Sequence, residues 1–379
     1  MNQWSRTARQ IVEYGKRSKY VIGGSKVEYQ GRYDVFDNTD MRIYSVLGRK
    51  NKCSIKDFID CDELAGKEII SPGEEAEEVG GAIAEAYRNN LPVIILTGAH
   101  PIKNGLSPIY LDWMRRGVLK LLGTTGAGTI HDFEFTSLGE SSEDVRGVLA
   151  KGEFGMAFET CTYLNQALIE GNKRKLGCGE SIGRLYCDQQ FRKSVLDAVF
   201  SAVAPPEGKI LKPYDGFEYV DYSVVATAYR EKIPLTVHVG IGADILDQHY
   251  NFDGEAKGGT SGRDFLIFTD MITKLTEGGV ILNVGTAVMG PEVLLKAVSM
   301  AANIGKAPNK ITVADFDLRP FVFDDNVRDE SKYYYYLRDQ KSVATRIPEV
   351  FGGKGYYFEG DHATTLTTVY QYFRKHLGN

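Results

Sequence analysis

Six short loops, each following an apolar run, carry the side chains of this chain that are best suited to chemistry. They are Thr97-Gly98-Ala99-His100, Thr125-Gly126-Ala127-Gly128 with His131, Asp132 and Glu134 behind it, Gly240-Ile241-Gly242-Ala243-Asp244, Val284-Gly285-Thr286, Asp315-Phe316-Asp317 and Gly360-Asp361-His362. Glycine and other small residues let a large ligand approach the backbone and the free N–H groups of a helix start. Carboxylates in the same loops can pair with ammonium groups, and imidazoles can move protons or bind metal. Together the loops point to a dinucleotide or a similarly large ligand. The G-x-G-x-x-G fingerprint is absent, because Gly126-Ala127-Gly128 continues as Thr129-Ile130-His131 without a third glycine.

Other chemistry fits some of the same residues. His131, Asp132 and Glu134, with His100, His238 and Asp244, could serve a metal-assisted hydrolase or lyase, although the His-Asp-Phe-Glu spacing matches no compact ligand motif. Plainer roles are a core histidine at His238 and helix caps at Asp132 or Asp244. Lys103 suits either a phosphate or solvent. Cys53, Cys61, Cys161, Cys178 and Cys187 form no C-x-x-C pair, and no histidine stands near Cys178 and Cys187 in sequence, so reduced thiols and no metal are expected.

Helices and strands alternating along the chain must position these loops. Ser71, Pro72 and Glu74 signal a helix start, and Val79, Ala82, Ile83, Ala86 and Tyr87 give it one apolar stripe to Arg88. The run Leu91 to Leu96 then reads as a strand covered on both faces. Comparable strands are expected at Val118–Thr124, Pro234–Val239, Gly279–Val284, Lys310–Ala314 and Gly355–Glu359, with helices at 106–117, 220–231, 263–276, 291–304 and 364–376. This pattern predicts an α/β fold: a doubly wound, mostly parallel, Rossmann-like sheet with helices on both faces. Residues 1–70 read as a peripheral arm and hairpin, and 71–379 as one α/β domain. A helical insertion is expected at about 141–203, with long helices at 154–170 and 180–203 and no strand. The run Tyr333-Tyr334-Tyr335-Tyr336 suggests residues divided between a core and an interface.

The 379 residues suffice for a large core, and 45 basic against 50 acidic side chains give a net charge of −5. That balance offers no broad attraction to nucleic acid or an anionic membrane. The basic runs Gly48–Lys52 and Asn172–Lys175 read as solvated turns or helix ends. The first residues carry no signal-peptide pattern, and the longest apolar runs are strand-sized, so a cytoplasmic protein is expected.

The order of these motifs resembles the deoxyhypusine synthase family, most closely its prokaryotic deoxyhypusine-synthase-like branch, over Pro92–Gly139 and Lys232–Phe373. The resemblance rests on Thr97-Gly98, Thr125-Gly126-Ala127-Gly128, Gly278 to Gly285, the Pro291 helix, the Lys310 strand and Gly360-Asp361-His362-Ala363. It implies an NAD-dependent transferase acting on a polyamine or related amine through an imine, with a protein lysine as acceptor and a homotetramer built from dimers. Under that resemblance Thr97, Thr125, Ala127, Gly128, Gly285, Asp315 and Asp361 contact NAD. Asp132, Glu134 and Asp244 bind the amine, and Lys354, with His131 and Asp132, is catalytic. The chain departs from the family at His131, which replaces an acid; after Gly285, where a His-His pair is missing; and at Gly352-Gly353-Lys354, which lacks the family's tryptophan. A dehydrogenase or lyase on the same scaffold, a metal-assisted enzyme and a noncatalytic NAD-binding protein are the alternatives.

Overall fold

Apolar runs without period-two alternation become strands covered on both faces, and their order fixes where a ligand can sit. The computed structural model describes residues 21–23, 31–38, 40–202, 205–322 and 336–378. Its main sheet contains β1 (Val93–Thr97), β2 (Leu119–Thr125), β3 (Leu235–His238), β4 (Val280–Val284), β5 (Thr312–Asp317) and β6 (Lys354–Glu359). Every pairing is parallel, in the order β6-β5-β4-β1-β2-β3. Read from the other edge this is 3-2-1-4-5-6, the Rossmann order, with its switch point between β1 and β4. The two central strands are wholly buried, as their apolar sequences require.

Helices cover both faces: α1 (Glu74–Arg88), α2 (Ser107–Arg115), α3 (Gly126–Leu138), α4 (Phe158–Lys173), α5 (Cys178–Cys187), α6 (Gln189–Ala202), α7 (Val224–Arg230), α8 (Gly254–Ile272), α9 (Met289–Asn303) and α10 (His362–Leu377). Helix α1 begins after Gly73 rather than at the expected Ser71 cap. Glu74, Glu75 and Glu77 complement its N-terminal dipole instead. It lies so close to α10 that a Cβ on Gly80 would meet Tyr372 Cβ at 2.6 Å. An eight-residue π-helix, Asp339–Arg346, leads toward β6. Among the described residues no helix is long and apolar enough to cross a membrane.

The N-terminal part, expected as a peripheral arm and hairpin, holds one antiparallel pairing of its own and a second with the segment after α3. Val21–Gly23 pairs antiparallel with Met41–Ile43, while Asn51–Ser54 pairs with Glu140–Glu143. Ile43, Val46 and Leu64 are buried, so the described residues from 40 onward contribute to the interior. The second pairing also puts a strand at the start of the expected all-helical insertion. Within that insertion, the long second helix is two helices, α5 and α6, separated at Asp188, whose carboxylate accepts from the N–H groups of Gln190 and Phe191. The helix expected at 263–276 starts earlier, at Gly254, because Asp253 caps Ala256 N–H. Tyr333–Tyr335 lie outside the described residues, and Tyr336 is exposed.

Candidate functional site

At the switch point two glycine turns meet. Gly98 N–H donates to Val284 O at 2.9 Å, and Gly285 N–H donates to Phe316 O at 3.0 Å. A Cβ on Gly98 would lie 2.1 Å from Gly285 O, a contact no side chain can make. Gly285 adopts φ +64°, and any Cβ there would meet His362 and Pro101 at 2.9 and 3.2 Å. His362 Nε2 lies 3.1 Å from Phe316 O and donates to that carbonyl, while the buried Nδ1 has no partner. The His100 ring meets His362 edge to face at 5.7 Å. Loops after β1, β4 and the last strand, β6, therefore converge on a pair of imidazoles.

The first loop brings a third imidazole into range. Ala99–Lys103 packs against α3, and the charges of His100 and Lys103 act on His131. His131 Nδ1 is 2.7 Å from Ser141 Oγ, and Ser141 Oγ donates to Glu134 Oε2 at 2.7 Å. Because the hydroxyl proton points to Glu134, neutral His131 donates through Nδ1 and keeps a lone pair on Nε2. Burial, outweighing the Glu134 charge, holds the His131 pKa below 6.5. Glu134 is fixed by Arg49 at 2.7 Å and by Thr160 Oγ1 at 3.2 Å. Burial raises its pKa, but the Arg49 charge and hydrogen bonds bring it below the usual glutamate value. Arg49 was expected in a solvated basic turn; it is buried because it neutralises this carboxylate.

The other expected amine ligands have internal partners. Asp132 is 2% exposed and accepts from Ser223 Oγ at 2.6 Å and Val224 N–H at 2.7 Å, capping α7. Burial pushes its pKa up to about 7. Asp244 pairs with buried Lys257 at 3.0 Å, and Asp247 binds the same ammonium. Asp244 also accepts from Ala127 N–H, placing its carboxylate at the start of α3, where a Cβ on Gly126 would strike it. Burial raises the Asp244 pKa against the opposing effect of Lys257. Glu134 belongs to the His131 relay. The three acids therefore do not form one open anionic clamp.

Lys354 is the first residue of β6, at the opposite end of that strand from Glu359 and from the switch-point loops. It is exposed and pairs with Glu78 at 3.3 Å. Within the chain it therefore does not stand beside Asp132 and His131, with which the sequence grouped it. Among the expected NAD contacts, Thr125, Ala127, Gly285 and Asp361 reach the surface of the strand-end loops. Thr97, Gly128 and Asp315 are buried behind them. Thr97 Oγ1 bonds Tyr110 OH at 2.9 Å, and a Cβ on Gly128 would meet Thr124 Oγ1. Asp361 caps α10 through Ala363 N–H at 2.9 Å.

Asp315 accepts from Asn283 Nδ2 at 2.7 Å. Burial first, then the charge of Asp339 on the π-helix, raises the Asp315 pKa. Asp317 and Asp339 both bind Arg319. His238 lies within β3, 3.1 Å from Thr236 Oγ1, and burial lowers its pKa to about 4, in keeping with a core residue. Among the described residues no cluster of His, Cys, Asp or Glu is arranged to hold a metal ion. Arg49, His362, Asn283 and Asp339 were missed as site components because their partners lie far along the chain or across strand ends, and Ser141 because its two partners, 10 and 7 residues before it, meet it only when the short strand after α3 folds back. The closest sequence signal was His362 beside Asp361 in a strand-end loop.

Among the described residues, the strand-end loops leave no dinucleotide-sized space between them and the strands. The space directly beneath, between Thr97, Thr125, His238 and Thr286, is a cavity of about 10 Å³, enough for roughly one water. Of the expected cofactor contacts, Thr125, Ala127, Gly285 and Asp361 are accessible at the switch point, whereas the unpartnered His362 Nδ1 is buried behind them.

No protein-family model matches the chain, and no curated protein matches it. Solved structures similar to it include AgrE in a ternary complex with ornithine and NAD+, with 14% identity, a TM-score of 0.43 and coverage of 80% of this chain and 34% of that one. Another is ArgZ, an arginine dihydrolase from the ornithine-ammonia cycle in cyanobacteria, with 12% identity, a TM-score of 0.40 and coverage of 79% and 31%. The chain thus spans about a third of the length of these proteins. The strand order itself makes the fold a doubly wound, Rossmann-like α/β sheet with a helical layer.

Proposed function

We propose that this chain is an NAD-dependent oxidoreductase acting on a small amine or amino acid, with His131 as its general base. The observation carrying this reading is the Glu134–Ser141–His131 relay, which leaves the Nε2 lone pair available near the histidine-lined switch point. NAD, when bound, supplies a hydride acceptor. Thr125, Ala127, Gly285 and Asp361 are the residues suited to holding it. His131 Nε2 takes the ammonium proton of the substrate, giving the neutral amine from which a hydride can depart. Glu134, through Ser141, stabilises the imidazolium. A metal is not required by this residue set.

The deoxyhypusine-synthase-like resemblance supports the cofactor and an amine substrate. A polyamine transferase also needs a reactive lysine beside the cofactor, and Lys354 at the far end of β6 does not supply one. The dehydrogenase reading therefore fits the placement of side chains better. Calorimetry with NAD, followed by nicotinamide absorbance with spermidine, ornithine, arginine and simple diamines, tests it. Saturable NAD binding and amine-dependent reduction are expected. Folded His131→Ala should retain NAD binding while kcat falls on the order of 10²-fold or more. The wild-type acid limb should lie below pH 6.5, the ordinary histidine value. Absence of NAD binding overturns the cofactor assignment, and unchanged turnover in His131→Ala overturns the base.

A further inference from the structure

A second cavity lies at the other end of the sheet, where β3 begins. It has a volume of about 900 Å³, is open to solvent on one side, and is lined by α5, α6, α7, α8 and the segment around Phe217. This is the size of a small-molecule site. Its apolar lining includes Tyr186, Phe217, Val225, Ala228 and Leu235, all buried, with Ile267 more exposed.

Arg192 on α6 gives the cavity its chemical character. The residue is only 5% exposed, and its Nη1 donates to Tyr186 O at 2.8 Å and Leu185 O at 3.4 Å, while Nε donates to Tyr214 O at 3.4 Å. All these partners are neutral carbonyls. No carboxylate forms an ion pair with Arg192 among the described residues, and Nη2 makes no hydrogen bond there. Burial lowers its pKa, more than the charges of Asp188 and Asp215 restore. A buried guanidinium without a counter-ion is unfavourable, and an anion in the cavity would correct that imbalance.

The acids on the same wall do not neutralise it. Glu180 is paired with Arg184 at 3.0 Å. Asp264 accepts from Gly179 N–H at 3.0 Å and Val237 N–H at 2.8 Å, and burial pushes its pKa up to about 7. Asp215 is exposed. On the cationic side, Arg230 is paired with Asp221 at 2.6 Å, and Lys232 is exposed near the opening.

We infer that this cavity binds a small organic anion, its apolar or aromatic body against Tyr186, Phe217 and Leu235 and its charged oxygen on Arg192. The site is independent of the proposed cofactor surface. The Arg192 charge favours a carboxylate or phosphate headgroup over a neutral or cationic one, and the apolar walls reject bare inorganic ions.

Titration of the full chain with hydrocinnamate, phenyl phosphate, hydrocinnamamide and inorganic phosphate tests the inference by calorimetry and ligand-observed NMR. At least one organic anion should bind at one site per chain, at least tenfold tighter than the amide or inorganic phosphate. The hydrocinnamate and phenyl phosphate arms distinguish the headgroups. Arg192→Met should abolish that preference. Because Arg192 also ties down three carbonyls, Ile267→Trp provides a second variant that narrows the cavity without touching it. Loss of anion binding in folded Ile267→Trp, with NAD binding equal to wild type, supports the assignment. Equal affinity for hydrocinnamate and its amide, no saturable organic-anion binding, or unchanged binding in Ile267→Trp overturns it. NAD results alone test the proposed oxidoreductase, so failure of either reading is distinguishable.

Discussion

His238 and His131 show how the same residue type receives different roles from its surroundings. His238 is enclosed in β3 and held neutral, with burial lowering its pKa to about 4 from 6.5. In the unfolded chain it binds a proton as pH falls through 6.5, whereas in the folded chain it resists until about 4. Its contribution to stability is therefore full above 6.5 and decreases as pH falls across that window. Urea unfolding at pH 7 and pH 5 should show an acid loss about 2 kcal/mol smaller in His238→Gln than in the wild type. An equal pH dependence would reject this account. The core role was one of the readings available for His238 in sequence. The orientation of His131 was not, because it depends on Ser141 in another element and on the direction of a hydroxyl proton.

The elements explain why apparently ordinary residues become indispensable. Arg49 belongs to a short basic run, yet the antiparallel pairing of Asn51–Ser54 with Glu140–Glu143 carries it to Glu134 on α3. Removing its charge while keeping an apolar stem leaves that carboxylate buried without its cation. Arg49→Met is expected to lower unfolding stability by about 3–5 kcal/mol, measured with denaturant at neutral pH. A loss below about 1 kcal/mol would contradict the coupling inferred here. The alternating helices and buried strands were legible because local apolar patterns dictate them. The Arg49 contact was hidden because it depends on a strand pairing between distant segments, and the break between α5 and α6 depends on the Asp188 cap.

At the scale of the molecule, residues 40–70 do not behave as a removable appendage in packing terms. Ile43 and Val46 are each 1% exposed, and Leu64 joins the same core. A chain beginning at Ser71 would uncover their partners as well as Glu134. Such a fragment is expected to lose cooperative thermal unfolding, as followed by circular dichroism and calorimetry. A sharp transition matching that of the full chain would instead establish 71–379 as an independently folding unit. Sequence patterning could identify the later α/β core but could not distinguish a covering arm from one that completes the interior. That distinction requires the burial of particular side chains, since hydrophobic residues such as Ile43 also occur on surfaces.

The Asp315–Asp339 contact has a further consequence for the molecule's proton inventory. Both carboxyls are buried and their pKa values are raised, Asp315 by burial and Asp339's charge, Asp339 by burial despite the charge of Arg319. A carboxylate has no hydrogen to donate, so a proton retained between them supplies the donor that two ionised groups lack. Asp132 and Asp264 also retain protons more readily than free aspartates. On folding near neutral pH these carboxyls take up protons, while His131, His238 and His249, whose pKa values burial lowers, give protons up. With the histidines already counted as neutral, the native chain is expected to carry a less negative electrophoretic charge than the formal −5 obtained by counting its side chains.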